Sequence, residues 1–169
     1  MSVLNVCYLL DLSSSIVSEK LKTINGIIDN SLDKLGEIAE DNDADLKVAM
    51  MTFATDTDWT LTPHGPEPVT EFAYNNFTDS NGLSNLGLAI DDLSCKLSDK
   101  KFFKLKSDDY QPVVIFLTDS ESTDNYKEAL DRIKKNKVWE NSIKSRMKKA
   151  KQLLKEALDA DEMELMTFE

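Results

Sequence analysis

The chain has 169 residues, of which 41% are hydrophobic and 30% are charged, a composition typical of globular proteins. A chain of this length can bury about two-thirds of its unfolded surface in one core, so we expect a single domain over residues 1–169. The net charge of −11 argues against a general nucleic-acid binder, and apolar runs of five or six residues cannot cross a bilayer.

The cysteine content and the N-terminus indicate the cellular compartment in which the protein works. Cys7 and Cys95 are too few for a disulfide framework or a zinc site. The N-terminus lacks the basic and apolar segments of a signal peptide, so we expect a cytoplasmic protein. Eleven Lys/Arg and only three Asp/Glu lie between Lys127 and Lys155, which predicts either a solvated helix face or a docking face for an acidic partner.

The first predicted strand runs into a cluster of oxygen-bearing side chains. The stretch Val6–Leu10 carries no charge, which indicates a strand covered on both faces, as in a parallel sheet. Asp11, Ser13 and Ser15 follow at its carboxyl end, where α/β sheets usually hold ligands. Their oxygens suit a hard cation such as Mg²⁺, but Asp and Ser before a helix are also typical N-cap residues.

Further elements follow in order. Apolar residues at spacings of three and four predict a helix from near Ser15 to around Glu40. Residues 46–54 read as a second strand, and Trp59–Thr62 as a shorter antiparallel edge strand. Residues 63–68 are predicted to form a loop that holds the only histidine, His64, to which we assign no role.

The second half also contains predicted helices and a predicted strand. A turn over residues 80–85 precedes a helix over residues 86–97, and the apolar strand over residues 112–117 ends at a second oxygen cluster that includes Asp119. Another helix is predicted over residues 125–135. This order is typical of a doubly wound, Rossmann-like α/β domain with a mostly parallel sheet, one antiparallel edge strand and helices on both faces. A central first strand would bring Asp11, Ser13 and Ser15 close to Asp119, with the turn at Ser84 on a third side.

Three motifs in this chain resemble those of the von Willebrand factor A (vWA) family. They are Asp11-Leu12-Ser13-Ser14-Ser15, the turn over residues 82–87 (GLSNLG), and Thr118-Asp119-Ser120. The family has D-x-S-x-S, G-x-T-x-x-G and T-D-G, which build a metal-ion-dependent adhesion site. The resemblance covers about residues 3–140, and the stretch 113–124 is most similar to bacterial tellurium-resistance TerY-like proteins.

The resemblance implies a role for each matching position. Ser13, Ser15 and Ser84 would ligate the metal through their hydroxyls, while Asp11 and Asp119 would act mainly through coordinated water. The ion would be Mg²⁺, or else Mn²⁺ or Ca²⁺. One coordination position would stay open for an Asp or Glu of a partner protein.

The sequence departs from the family pattern in several places. Ser14 and Ser120 replace glycines, and Ser84 replaces threonine. The C-terminal part, residues 141–169, looks atypical or truncated: a helical apolar stripe over residues 143–158 is followed by one possible short strand over residues 163–168. That helix could pack in the core or pair with a second copy of the chain.

The resemblance implies a non-enzymatic, metal-dependent protein-interaction domain of a bacterial stress-response or defence system. Its partners would include kinase or phosphatase components, with no role for nucleic acid or membrane. One alternative is a phosphatase of the haloacid-dehalogenase type with Asp11 as nucleophile, although Ser13 stands where that enzyme class needs a carboxylic acid. Another is a structural vWA domain whose metal site is too altered to bind.

Overall fold

The computed structural model describes residues 2–42, 44–119 and 122–135. The predicted C-terminal helix and strand, and most of the basic segment, lie outside these residues. Within them the elements run in the order β1 (Val3–Asp11), α1 (Ser18–Asp41), β2 (Asp45–Phe53), β3 (Thr57–Asp58), β4 (Glu67–Pro68), α2 (Leu86–Ser98), β5 (Val113–Leu117) and α3 (Tyr126–Lys134).

The sheet has β1 between β2 and β5, the arrangement that would bring Asp11 and Asp119 together. β1 pairs in parallel with β2 on one side and with β5 on the other, in the order β3-β2-β1-β5. Asp11 lies opposite Phe53, and Leu10 lies opposite Leu117. The loops that follow β1 and β5 therefore begin side by side at the same edge of the sheet.

Helices cover both faces of this sheet, which confirms the predicted α/β class. Alternate residues of a strand point to opposite faces, and all nine residues of β1 are buried. The face that carries Tyr8 and Leu10 packs on α1 through residues such as Ile28. The other face carries Leu9 and packs on α2 and α3 through residues such as Leu93 and Ile133.

The outer edge of β2 differs from the prediction of one strand over Trp59–Thr62. Two short antiparallel strands lie along it instead: β3 pairs with residues 52–53, and β4 pairs with residues 47–48. Between them, the Thr62 hydroxyl accepts a hydrogen bond from Met50 N (3.1 Å) and donates one to Met50 O (3.2 Å). The Thr62 side chain thus makes the two hydrogen bonds to Met50 that the backbone of a neighbouring strand would otherwise make. No strand continues here, because the chain turns after Trp59.

The first helix begins later than predicted. α1 starts at Ser18, its N-cap is Val17, and no side chain caps it, so the capping role considered for Asp11 and Ser15 is wrong. Residues 13–17 form a tight turn instead, in which Ile16 N donates to Ser13 O (3.0 Å). The Ser15 hydroxyl bonds to Asp119 and to no backbone N–H of the helix.

A long irregular segment over residues 69–85 crosses α1 and delivers the Gly82–Ser84 turn to the end of β1. Asn25, buried within α1, holds this segment. Its Oδ1 accepts hydrogen bonds from Tyr74 Oη (2.6 Å) and Phe77 N (3.1 Å), and its Nδ2 donates to Phe77 O (2.8 Å). Further along, Asn81 N donates to Leu12 O (2.7 Å), which ties the turn directly to the loop after β1.

Candidate metal centre

The five residues singled out from the sequence lie in one continuous hydrogen-bonded chain. Ser84 bonds to Asp11, Asp11 to the backbone of Ser13, Ser13 to Ser15, and Ser15 to Asp119. Residues from three loops, up to 108 positions apart, therefore meet at the carboxyl edge of the sheet.

Asp11 forms the buried floor of this cluster. Its Oδ1 accepts a hydrogen bond from Ser13 N (2.8 Å), which closes a tight turn directly after β1. Its Oδ2 accepts hydrogen bonds from the hydroxyls of Ser84 (2.8 Å) and Thr118 (2.7 Å). The carboxylate is thereby fixed in orientation by all three loops. Ser13 and Ser84 are buried beside it.

Asp119 forms the part of the cluster nearest the solvent. Its Oδ1 accepts a hydrogen bond from Ser15 Oγ (2.9 Å), and its Oδ2 pairs with the ammonium group of Lys20. Partial burial acts to raise the pKa of this carboxyl group, but the hydrogen bonds from Lys20 and Ser15 and the charge of Lys20 outweigh it. The pKa of Asp119 is consequently lowered, so the group is ionised at neutral pH and available to a cation.

The Gly82 turn brings Ser84 to Asp11 and requires glycine at its first position. Gly82 has a φ of +93°, and a Cβ at this position would lie 2.6 Å from Thr55 Oγ1. Ser14, which replaces a family glycine, does not adopt such a backbone; among the described non-glycine residues only Lys104 has a positive φ. Instead, the Ser14 hydroxyl accepts a hydrogen bond from Gly82 N (2.9 Å) and donates one to Gly82 O (3.1 Å). The serine therefore fastens the two loops together. Ser120, the other replaced glycine, lies outside the described residues.

The third loop is fixed to α2 by Asp124. Its carboxylate accepts hydrogen bonds from Gly87 N (2.7 Å) and Leu88 N (2.9 Å) in the first turn of that helix. A Cβ at Gly87 would lie 2.9 Å from Asp124 Oδ2, which explains why the last position of the turn motif is glycine. Partial burial acts to raise the pKa of Asp124, but the hydrogen bonds from Ser122, Gly87 and Leu88 outweigh it and lower the pKa.

The donor set and its spacing fit a small divalent cation. Octahedral Mg²⁺ with ligands at about 2.1 Å places neighbouring oxygens about 2.9–3.0 Å apart. The two hydroxyl groups that would ligate the ion from the same loop, Ser13 Oγ and Ser15 Oγ, are 3.0 Å apart, which is compatible with neighbouring positions on such an octahedron. In the described ranges no three His, Cys, Asp or Glu side chains form a metal-binding group, so any ion here depends on serine hydroxyls.

Three residues that contribute to this edge of the sheet were not singled out from the sequence. Thr118 belongs to a recognised motif, and its position beside Asp119 was the available signal. Asp124 lies in the second oxygen cluster, which was its only signal, and Lys20 gave none. The roles of both come from contacts with residues 37 and 99 positions away, respectively. A lysine in a helix and an aspartate before one are ordinary surface residues in a sequence.

Comparison with known proteins gives a family and a fold. A family model described as von Willebrand factor type A domain matches residues 5–168. No curated protein matches the chain. No helix in the part of the chain that the structure describes is long and apolar enough to span a membrane.

Three solved structures share the fold at low sequence identity. They are proximal thread matrix protein 1 from the mussel byssus (TM-score 0.57, 15% identity), the pilus adhesin SpaC from Lactobacillus rhamnosus GG (0.53, 12%) and the PilB minor pilin from Streptococcus sanguinis (0.50, 13%). The matches cover 79%, 73% and 70% of this chain but only 35%, 15% and 30% of those proteins. With the family model spanning nearly the whole sequence, the chain belongs to the von Willebrand factor type A family, whose domains typically mediate interactions between proteins.

Proposed function

We propose that this chain is a single interaction domain that binds a partner protein through a divalent cation. The ion is Mg²⁺, or else Mn²⁺ or Ca²⁺, and the hydroxyls of Ser13, Ser15 and Ser84 ligate it directly. Asp11 and Asp119 hold it mainly through coordinated water. A carboxylate of the partner completes the coordination. The observation that carries this proposal is that these five residues, from three separate loops, converge in one continuous hydrogen-bonded network at the carboxyl edge of the sheet.

The surroundings of the cluster support a contact surface. Val17 and Leu83 are each 54% exposed, and they flank Ser15 and Ser84 in the sequence. Their loops are joined by the hydrogen bonds between Ser14 and Gly82. Apolar side chains beside a polar anchor are typical of a protein interface, where burial of apolar area adds to a specific central contact.

The phosphatase alternative is not favoured by the environment of Asp11. A nucleophilic carboxylate needs a free oxygen that a substrate can reach, and Asp11 is fully buried with hydrogen bonds to both oxygens. We expect no turnover of p-nitrophenyl phosphate above the level of Asp11→Asn. The resemblance to TerY-like proteins supports a cytoplasmic stress-response or defence setting with kinase or phosphatase partners.

Thermal melting with and without Mg²⁺ tests the metal site. At about ten times its dissociation constant, a bound ion stabilises the native state by about 1.4 kcal/mol. We expect Mg²⁺ to raise the melting temperature of the wild type, and we expect this shift to be lost in Ser15→Ala and Asp119→Asn. Asp33→Asn is the matched control, because it removes an exposed carboxylate that lies about four turns after the start of α1, away from the cluster. A shift that is absent from the wild type, or equal in all four proteins, would contradict the proposal.

A further inference from the structure

Lys20 occupies a position that helix stability does not explain. It is the third residue of α1, so its ammonium group lies near the positive end of the helix dipole, where a cation is unfavourable. The side chain nevertheless turns toward the candidate metal centre. Its Nζ pairs with Asp119 Oδ2 and lies 3.5 Å from Ser15 O. The attraction between this ammonium group and the Asp119 carboxylate therefore outweighs its unfavourable interaction with the helix dipole.

The partner of Lys20 is also a candidate ligand of the metal. One carboxylate, that of Asp119, accepts a hydrogen bond from Ser15 on one oxygen and from Lys20 on the other. A divalent ion at this edge would have the ammonium group close by, and the two positive charges would repel each other. The Lys20 side chain is 52% exposed, so it has room to leave the site without disturbing the core.

We propose that Lys20 is a tethered cation that competes with the divalent ion for Asp119 and thereby sets the ion concentration at which the site loads. The proposal rests on the metal site described above. In the absence of the ion, Lys20 neutralises Asp119 and holds its carboxylate against Ser15. When the ion binds, the ammonium group is released to solvent. The lysine thus weakens metal binding and keeps the loops in place before the metal arrives.

Calorimetric titration with Mn²⁺ tests this competition on the full chain. Lys20→Met keeps an unbranched side chain of similar length and removes the charge, while Lys20→Arg keeps the charge. Lys22→Met is the control, because Lys22 is exposed on the same helix two residues further on. We expect Lys20→Met to bind Mn²⁺ about three- to fivefold more tightly than the wild type, the range that an exposed ion pair supports. Lys20→Arg and Lys22→Met should stay close to the wild type.

Each result separates this proposal from that of the metal site itself. Binding by Lys20→Met that is equal to or weaker than that of the wild type overturns the competition and leaves the metal site standing. An equal gain in Mn²⁺ affinity in Lys20→Met and Lys22→Met also overturns it, because the loss of any nearby positive charge would then explain the tighter binding. Binding by Lys20→Met but not by the wild type at millimolar ion supports the competition and contradicts metal-dependent function of the wild type. If none of the four proteins binds Mn²⁺ detectably, both proposals are overturned.

Discussion

Ser84 donates a hydrogen bond of 2.8 Å to the buried carboxylate of Asp11, although 73 residues separate the two in the chain. This contact joins the loop after β1 to the turn before α2. We expect Ser84→Ala to lower the free energy of unfolding by about 1–3 kcal/mol, because a buried acceptor loses a partner. Ser84→Thr, which keeps the hydroxyl and has the residue typical of the family, should stay close to the wild type.

Urea unfolding in the presence of EDTA measures this effect without any contribution from a bound ion. A Ser84→Ala protein as stable as the wild type would show that the contact adds nothing to the fold. A loss in Ser84→Thr equal to that in Ser84→Ala would point to packing rather than to the hydrogen bond.

Two glycines with opposite surroundings give a matched pair. Gly82→Ala should destabilise the protein by about 1–3 kcal/mol, because residue 82 has a φ of +93° and its Cβ would meet Thr55 Oγ1. Gly36→Ala should stabilise it by about 0.5–1 kcal/mol, because this position lies inside α1 with no atom within 4 Å of the added Cβ. Thermal unfolding of both variants checks the prediction, and the same sign of effect in both would contradict it.

Asp124 predicts a dependence of stability on pH. Its pKa is lowered in the native state from the usual value of 3.8, so the carboxylate stabilises the fold above that pH. This contribution is lost as the pH falls through the native-state value. Asp124→Asn retains one acceptor but turns an amide NH₂ toward a backbone N–H, and should cost about 0.5–2 kcal/mol at pH 7, as for a lost helix cap.

The difference in free energy of unfolding between the wild type and Asp124→Asn should therefore be constant near neutral pH and should shrink below about pH 4. Urea unfolding from pH 7 to pH 3 measures it. Asp131→Asn, at an exposed position of α3, serves as the control and should show no such dependence. A difference that grows as the pH falls would contradict the assignment of Asp124 as an ionised cap.

The central fold could be predicted because its signals are local. An uncharged strand such as Val6–Leu10 can only be buried, and the apolar period of α1 is evident within its own residues. The edge of β2 could not be predicted, because it depends on a side chain. The Thr62 hydroxyl replaces a backbone pair of Met50, and no alternation in the sequence marks such an exchange.

The candidate site was predicted for a different reason. Oxygen-bearing side chains after two predicted strands indicated Asp11 and Asp119, and the predicted order of the strands placed them at one edge of the sheet. The resemblance to a family then gave each of them a role at a metal site. Asp11 and Ser15 also fitted helix caps. The structure decides against that role, because Val17 is the N-cap of α1, no side chain caps the helix, and the Ser15 hydroxyl bonds to Asp119. Lys20 was missed because its function, as proposed, arises from a pairing across 99 residues that no spacing in the sequence reveals.

The most direct measurement is crystallographic. Crystals grown with Mn²⁺, with data collected at its absorption edge, would show the ion as an anomalous peak. The proposed function predicts one peak within bonding distance of the Ser13 and Ser15 hydroxyls, next to Asp119. The competition proposed for Lys20 predicts in addition that its ammonium group has moved away from that carboxylate. The absence of a peak at this position at millimolar Mn²⁺ would contradict the proposed function.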